Sequence, residues 1–161
     1  MGAKAVDSVR HVLISGNPFD MTRRLEGIYR FNNLRPKFIV HTRNYLKNTL
    51  NFRLKDRIIS FNNKDDLRNF FALNKDIKGI GLKEASHFLR NIGFKGYAIL
   101  DKHIINSLHE FDILKTNEKP KNNKEYLEIE QKLIDFSKDV GIEVDELDLL
   151  LWSRKNGRIL K

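Results

Sequence analysis

Cysteine is absent from the 161 residues. Its absence excludes disulfides, thiolate zinc sites, cysteine nucleophiles and cysteine-ligated iron–sulfur clusters. Proline occurs only three times. No apolar run approaches the roughly 20 residues that a membrane-spanning helix requires. The first residues, Met1-Gly2-Ala3-Lys4-Ala5-Val6-Asp7, have no continuous apolar stretch after the lysine. They read as an amphipathic helix and not as a signal peptide, so the cytoplasm is the expected compartment and a membrane is not an expected partner. The five histidines, His11, His41, His87, His103 and His109, include no His-x-x-x-His helical pair. A metal enzyme is therefore not expected, and no metal ligand is assigned. Acidic residues are in deficit, 21 against 30 Lys and Arg, for a net charge of +9. Such an excess of positive charge favours a polyanionic partner, although a basic surface alone does not name one.

What is present is helical in pattern. Val6, Val9 and Leu13 fall at helical spacing, and Gly16-Asn17-Pro18 is expected to stop that segment. Asp20 is a candidate cap for a short helix to about Tyr29. Pro36 is placed to open the next helix, with Phe38, Thr42 and Tyr45 on one side. Asn62-Asn63 closes a segment around 53–61 and offers a cap for a helix over 65–74 with Leu67, Phe70 and Phe71 on its apolar face. Helices are predicted over 82–91, closed by Gly93, and over 102–111. Residues 115–124 form a polar, basic loop. Tyr126, Ile129, Leu133, Phe136 and Val140 then make a buried stripe ending at Gly141. The last helix, 145–155, carries Leu147, Leu150, Leu151 and Trp152 before Gly157. There is no alternating strand pattern, internal repeat or low-complexity tract. The expected fold is an all-α compact bundle, residues 1–161 as a single domain or two small lobes sharing a core, with a hairpin at 77–83.

That hairpin is the centre of the chemistry. Ile77-Lys78-Gly79-Ile80-Gly81 is an apolar-x-Gly-x-Gly turn between two amphipathic helices. Glycine suits a sharp turn at positive φ and lets another backbone approach closely. Amides of such a turn, beside a helix N-terminus, bind a phosphate oxygen without reading sequence. Gly79, Ile80 and Gly81 are thus the candidate DNA-backbone contacts, although any helical turn can hold two glycines. Lys83 stands in the first turn of the following helix, where the positive end of the dipole disfavours an ammonium. A neutral amine there can attack a sugar carbon and form a Schiff base. Asp101 lies 18 positions on, directly before a helix. On spacing alone it reads as an N-cap, and one carboxylate oxygen can cap while the other serves a site.

The run Lys78-Gly79-Ile80-Gly81-Leu82-Lys83-Glu84-Ala85-Ser86-His87-Phe88-Leu89-Arg90-Asn91, followed by Ala98-Ile99-Leu100-Asp101-Lys102-His103-Ile104, resembles the type 2, archaeal-type 8-oxoguanine DNA glycosylase/AP lyases. The likeness extends through Tyr126-Leu127-Glu128-Ile129-Glu130 and Glu146-Leu147-Asp148-Leu149-Leu150-Leu151-Trp152. These enzymes belong to the helix-hairpin-helix glycosylase superfamily. The resemblance implies a helix-hairpin-helix glycosylase fold and a bifunctional enzyme of base excision repair. Lys83 would be the nucleophile and Asp101 the catalytic carboxylate, acting on a nucleotide flipped out of the duplex. No cofactor is implied. The partner would be double-stranded DNA bearing 8-oxoguanine or an abasic site, met by a monomer in the cytoplasm at the nucleoid. Three positions match the family's base pocket: Lys161, which the resemblance implies tells 8-oxoguanine from guanine, and Trp152 and Phe31, which would stack on the base. Read without the resemblance, ordinary burial outweighs a pocket role for Trp152, and a basic last residue is common. Family members usually begin with several dozen residues before the point matching Met1, so truncation of the N-terminal helices is expected. Two rival readings are a glycosylase for another damaged base and a non-catalytic helix-hairpin-helix module that only clamps DNA.

Overall fold

The computed structural model describes residues 2–156, which are helical and turn-linked, with no strand among them. Gly157, the expected terminator of the last helix, and Lys161 lie outside the described residues. The chain divides into two compact units, the first ending at Ile80 and the second starting at Gly81. None of the described helices is long and apolar enough to cross a membrane.

The first unit runs α1 (Ala3–Val9), a 3₁₀ turn at Arg10–Val12, α2 (Pro18–Leu25), α3 (Arg35–Asn48), α4 (Leu54–Ile59) and α5 (Lys64–Ala72). Ala5, Val9, Met21 and Leu25 form a buried cluster, with Tyr29, Ile39 and Val40 packed against it. The start of α2 differs from expectation. Asn17, not Asp20, is the cap: its side chain accepts the Asp20 N–H at 2.9 Å. Pro18 opens the first turn, where its missing N–H costs nothing. The Gly16-Asn17-Pro18 stop is therefore also a start, and α2 ends at Leu25, four residues before Tyr29. Pro36 sits in the first turn of α3, one residue after the helix begins. Asn63 caps α5 as predicted, accepting the N–H groups of Asp65 and Asp66 at 2.7 and 3.1 Å.

One side of α3 holds the approach to the hairpin. The Tyr45 hydroxyl accepts from Asn74 Nδ2 at 3.4 Å, and Thr42 Oγ1 accepts the Lys78 N–H at 2.9 Å. Arg35 donates to the Gly79 carbonyl at 2.6 Å. Gly79 has φ +76°, and a Cβ there would run into the Arg35 guanidinium and the Phe38 ring. Ile77 is buried. The Phe38–Thr42–Tyr45 side read from the sequence is thus the surface on which residues 74–79 are pinned.

The second unit runs α6 (Leu82–Asn91), α7 (Lys102–Glu110), α8 (Asn123–Asp139) and α9 (Val144–Asn156). Leu89, Ile104, Leu108 and Leu133 are essentially inaccessible to solvent. Each contributes roughly 1.5–3 kcal/mol of burial. In α8 the stripe holds at Tyr126 and Leu133, which are buried, and at Ile129 and Phe136, which are half-buried. It fails at Val140, which is 42% exposed because the helix has already ended at Asp139. In α9 Leu147 and Leu151 face the core, whereas Leu150 is 53% exposed, on the opposite side of the turn.

A polar clamp fixes the fold of this unit. Arg90 of α6 pairs with Asp148 of α9 and also donates to the Asp145 and Tyr97 carbonyls at 2.7 and 3.4 Å. Asp148 accepts the Ile99 N–H at 2.8 Å, and Asp145 accepts the Gly96 N–H at 2.7 Å. The segment 96–100 has no regular secondary structure and no helical ladder to engage its amides, so these carboxylates satisfy two of them. Burial pushes the Asp148 carboxyl above the ordinary aspartate range, against the pull of the Arg90 guanidinium and the Ile99 amide.

Two stability outcomes follow from this packing. Gly79→Ala should lower stability by about 1–3 kcal/mol in thermal or urea denaturation, because it adds a Cβ in a left-handed conformation against Arg35 and Phe38. Asp148→Ala leaves a largely buried guanidinium unpaired and should cost about 3–5 kcal/mol. A raised folded-state pKa also means that the proton-linked stability is present below the unfolded value, about 3.9, and lost as pH rises through the folded one. Asp148→Asn cannot titrate, so its urea-derived stability should lack that downward slope when compared with wild type.

Candidate active site

Gly81 ends the hairpin in extended geometry and is the N-cap of α6. Its N–H donates to Glu84 Oε2 at 3.3 Å, so the first turn is closed by a side chain reaching back from Glu84. Lys83 is the second residue of that helix. Its side chain is 46% exposed, and Nζ lies 3.3 Å from Glu84 Oε1. Glu84 thereby anchors both the hairpin's last amide and the resting lysine.

Asp101 closes the irregular segment 97–100 and caps α7. Its Oδ1 accepts the N–H groups of His103 and Ile104 at 2.7 and 3.0 Å. Both capping bonds fall on Oδ1, so the cap does not use Oδ2. The side chain is held in one orientation by the helix that it starts. Tyr126 of α8 secures the same segment, donating its hydroxyl to the Ala98 carbonyl at 3.3 Å.

Lys83 and Asp101 lie together on the walls of two cavities in this unit. The smaller, about 360 Å³, is also lined by His87, Asp148, Leu149 and Trp152. Trp152 is half-buried, so it forms a wall of the cavity and not a core plug. The larger, about 490 Å³, is faced by Lys102, Lys119, Lys121 and Asn122. A flat aromatic wall with a few polar groups suits a heterocyclic base, and an amine on the same wall suits the sugar carbon to which that base is joined.

Of the residues singled out by sequence, Lys83, Asp101 and Trp152 thus share one cavity. Gly79 and Ile80 end the first unit and Gly81 begins the second. Phe31 belongs to the first unit, 40% exposed, edge-on to Tyr29 at 5.8 Å and covered by the Arg30 guanidinium at 4.4 Å. Lys161 lies outside the described residues. Two residues that sequence reasoning passed over also line the smaller cavity. His87 is one turn after Lys83, on the same face of α6, with Nδ1 3.2 Å from Asn91 Nδ2. Asp148 is one turn before Trp152 on α9. Spacing of four from a singled-out residue was the available signal for both.

Residues 1–142 match the family model described as 8-oxoguanine DNA glycosylase, of the helix-hairpin-helix type. The 8-oxoguanine DNA glycosylase/AP lyase of Methanocaldococcus jannaschii is 41% identical over 133 residues, covering 83% of this chain and 60% of the relative. That of Sulfurisphaera tokodaii is 35% identical over 159 residues, covering 98% of this chain and 74% of the relative. The crystal structure of the M. jannaschii enzyme in complex with a 15mer DNA containing 8-oxoguanine superposes with a TM-score of 0.81 at 35% identity, covering 98% of this chain and 72% of that one. The chain spans about 60% of the length of the M. jannaschii relative. On the strength of the matched residues and the shared all-helical fold, the chain belongs to the helix-hairpin-helix family of 8-oxoguanine DNA glycosylases.

Proposed function

We propose that the chain is a bifunctional DNA glycosylase/AP lyase that excises 8-oxoguanine from double-stranded DNA and then cuts the strand. The observation that carries this reading is the placement of Lys83 and Asp101 on the wall of the cavity that Trp152 lines. Membership of the family supports it, as does the neighbouring structure holding DNA with 8-oxoguanine.

A base inside the duplex keeps its anomeric carbon out of reach, so the nucleotide is extruded and the base enters the smaller cavity. Lys83 Nζ attacks C1′ as the bond from C1′ to the base breaks, and the base leaves with its electron pair. Asp101, through the oxygen not used for capping, takes a proton from the attacking amine and stabilises positive charge developing on the sugar. The sugar ring opens to an imine between C1′ and Lys83. The imine makes the C2′ proton acidic. Its loss expels the 3′ phosphate as the bond from C3′ to O3′ breaks, which is β-elimination. Water then releases the lysine.

Gly79, Ile80 and Gly81 serve as a backbone clamp. Trp152 stacks on the extruded base, and Phe31 and Lys161 carry the base-recognition roles that the family pattern assigns to their positions. Lys83, Asp101 and Trp152 come from one chain, so a monomer suffices, working in the cytoplasm at the nucleoid.

Asp101→Asn separates capping from chemistry, since asparagine caps as well as aspartate. The variant should fold normally, while single-turnover excision from an 8-oxoguanine duplex falls about 10²–10⁴-fold. Wild-type excision by that variant would remove Asp101 from the mechanism. Lys83→Ala should keep much of its DNA affinity and cut no strand. Strand cleavage that survives in Lys83→Ala would exclude this lysine as the nucleophile, and a wild-type chain that binds DNA without any cleavage would be a clamp.

A further inference from the structure

The larger cavity has no task in the chemistry above, yet Lys83 and Asp101 form part of its wall as well. The two cavities differ in character. One is lined by Trp152 and Leu149, the other by Lys102, Lys119, Lys121 and Asn122. A nucleotide whose sugar sits at Lys83 sends its base one way and its phosphodiester another. An aromatic cavity and a cationic one meeting at the same lysine match those two ends.

We propose that the larger cavity is a phosphate subsite, holding a backbone phosphate directly attached to the sugar of the extruded nucleotide, with Lys119 and Lys121 as its principal counter-charges. The inference rests on the reading of Lys83 as the residue that meets the sugar.

The charge balance of the wall favours an anion. Glu84 is engaged with Lys83, and Asp101 Oδ1 is occupied by the amides of His103 and Ile104. Lys102, Lys119 and Lys121 stand beyond those two carboxylates. Lys121 Nζ lies 3.4 Å from Glu118 Oε2, but both side chains are largely exposed. An ion pair of that kind is worth little and yields to a phosphate.

The end of the loop that carries Lys119 and Lys121 is held in place. The Lys121 N–H donates to Glu125 Oε2 at 2.7 Å, and Asn122 Nδ2 donates to Glu125 Oε1 at 3.0 Å. Asn122 Oδ1 in turn accepts the Glu125 N–H at 2.9 Å and caps α8. The next residue, Tyr126, ties α8 to the segment leading into Asp101 through its bond to Ala98. The backbone at residues 121–122 is therefore fixed before any ligand arrives, which lowers the ordering entropy that binding would otherwise cost.

The test uses the full chain and duplexes carrying a tetrahydrofuran abasic analogue, which is bound but cannot react. One methylphosphonate, which removes a single charge, replaces the phosphate on the 5′ side of the analogue, the one on its 3′ side, or one several nucleotides away. Dissociation constants are measured for wild type, for Lys119→Ala/Lys121→Ala, and for a control with the same charge change on α8 outside the cavity, Lys124→Ala/Lys132→Ala. The cavity variant should bind the unmodified analogue about tenfold more weakly, with a salt slope smaller by about 1. Neutralising one of the two adjacent phosphates should weaken wild type by a similar factor and leave the cavity variant unchanged. The position at which the losses fail to add identifies which phosphate is held, and the 3′ one would make the cavity a stabiliser of the departing phosphate. Losses that add at every position, or an equal loss in the control variant, overturn the subsite while leaving excision by Lys83 intact. A wild-type chain that binds the analogue no better than undamaged duplex overturns both.

Discussion

The Asp148 carboxylate takes a guanidinium from α6 and an amide from the segment that ends in Asp101, one turn before α9 presents Trp152. Three pieces of chain meet in these bonds: the helix that carries Lys83, the irregular link that delivers Asp101, and the helix that supplies the aromatic wall. An irregular link has backbone amides that must be satisfied when buried. Asp145 and Asp148 satisfy two of them, at Gly96 and Ile99. The clamp is costly, since burial disfavours the charge on Asp148 even beside Arg90. What it provides is position. An amine, a carboxylate and an aromatic ring can act on one nucleotide only if their spacing is held to within a fraction of an ångström.

The same economy appears at Asp101 and Glu84, each of which has two tasks. Asp101 starts α7 with one oxygen and lines both cavities, so the helix itself orients the carboxylate. Glu84 closes the first turn of α6 through the Gly81 amide and holds Lys83 through its second oxygen. In both cases a local helix-start interaction fixes a side chain that lines the candidate site. That arrangement explains how so short a unit builds a site: helix caps are required anyway, and here they are made by the residues that line the cavities.

The parts of the site legible in the sequence are those written in local patterns. Two glycines in an apolar turn, a lysine in the next first turn and an aspartate before Lys-His-Ile-Ile are each short-range signals, and the structure places helix starts where they indicate. Helical periodicity also found the side of α3 that receives residues 74–79. It failed at helix ends. Val140 keeps the spacing of the α8 stripe but lies beyond the last helical residue, and Leu150 is apolar yet turned outward. Asn17 and not Asp20 caps α2, because Pro18 starts a helix more readily than it continues a turn. The Arg90–Asp148 pair joins residues 58 apart, and no local pattern announces a tertiary ion pair. The loop at 115–124 was legible as basic. Its place in a cavity wall was not, because that depends on where α8 packs through Tyr126.

The chemistry proposed for Lys83 is a covalent bond with the sugar of a damaged nucleotide. Borohydride reduction during reaction with a duplex containing one 8-oxoguanine, followed by proteolysis and mass mapping, tests it directly. The account predicts a stable protein–DNA adduct that requires the lesion, with the added mass on the peptide containing Lys83. An adduct mapped to another amine, or none formed by folded chain that binds the duplex, would contradict it.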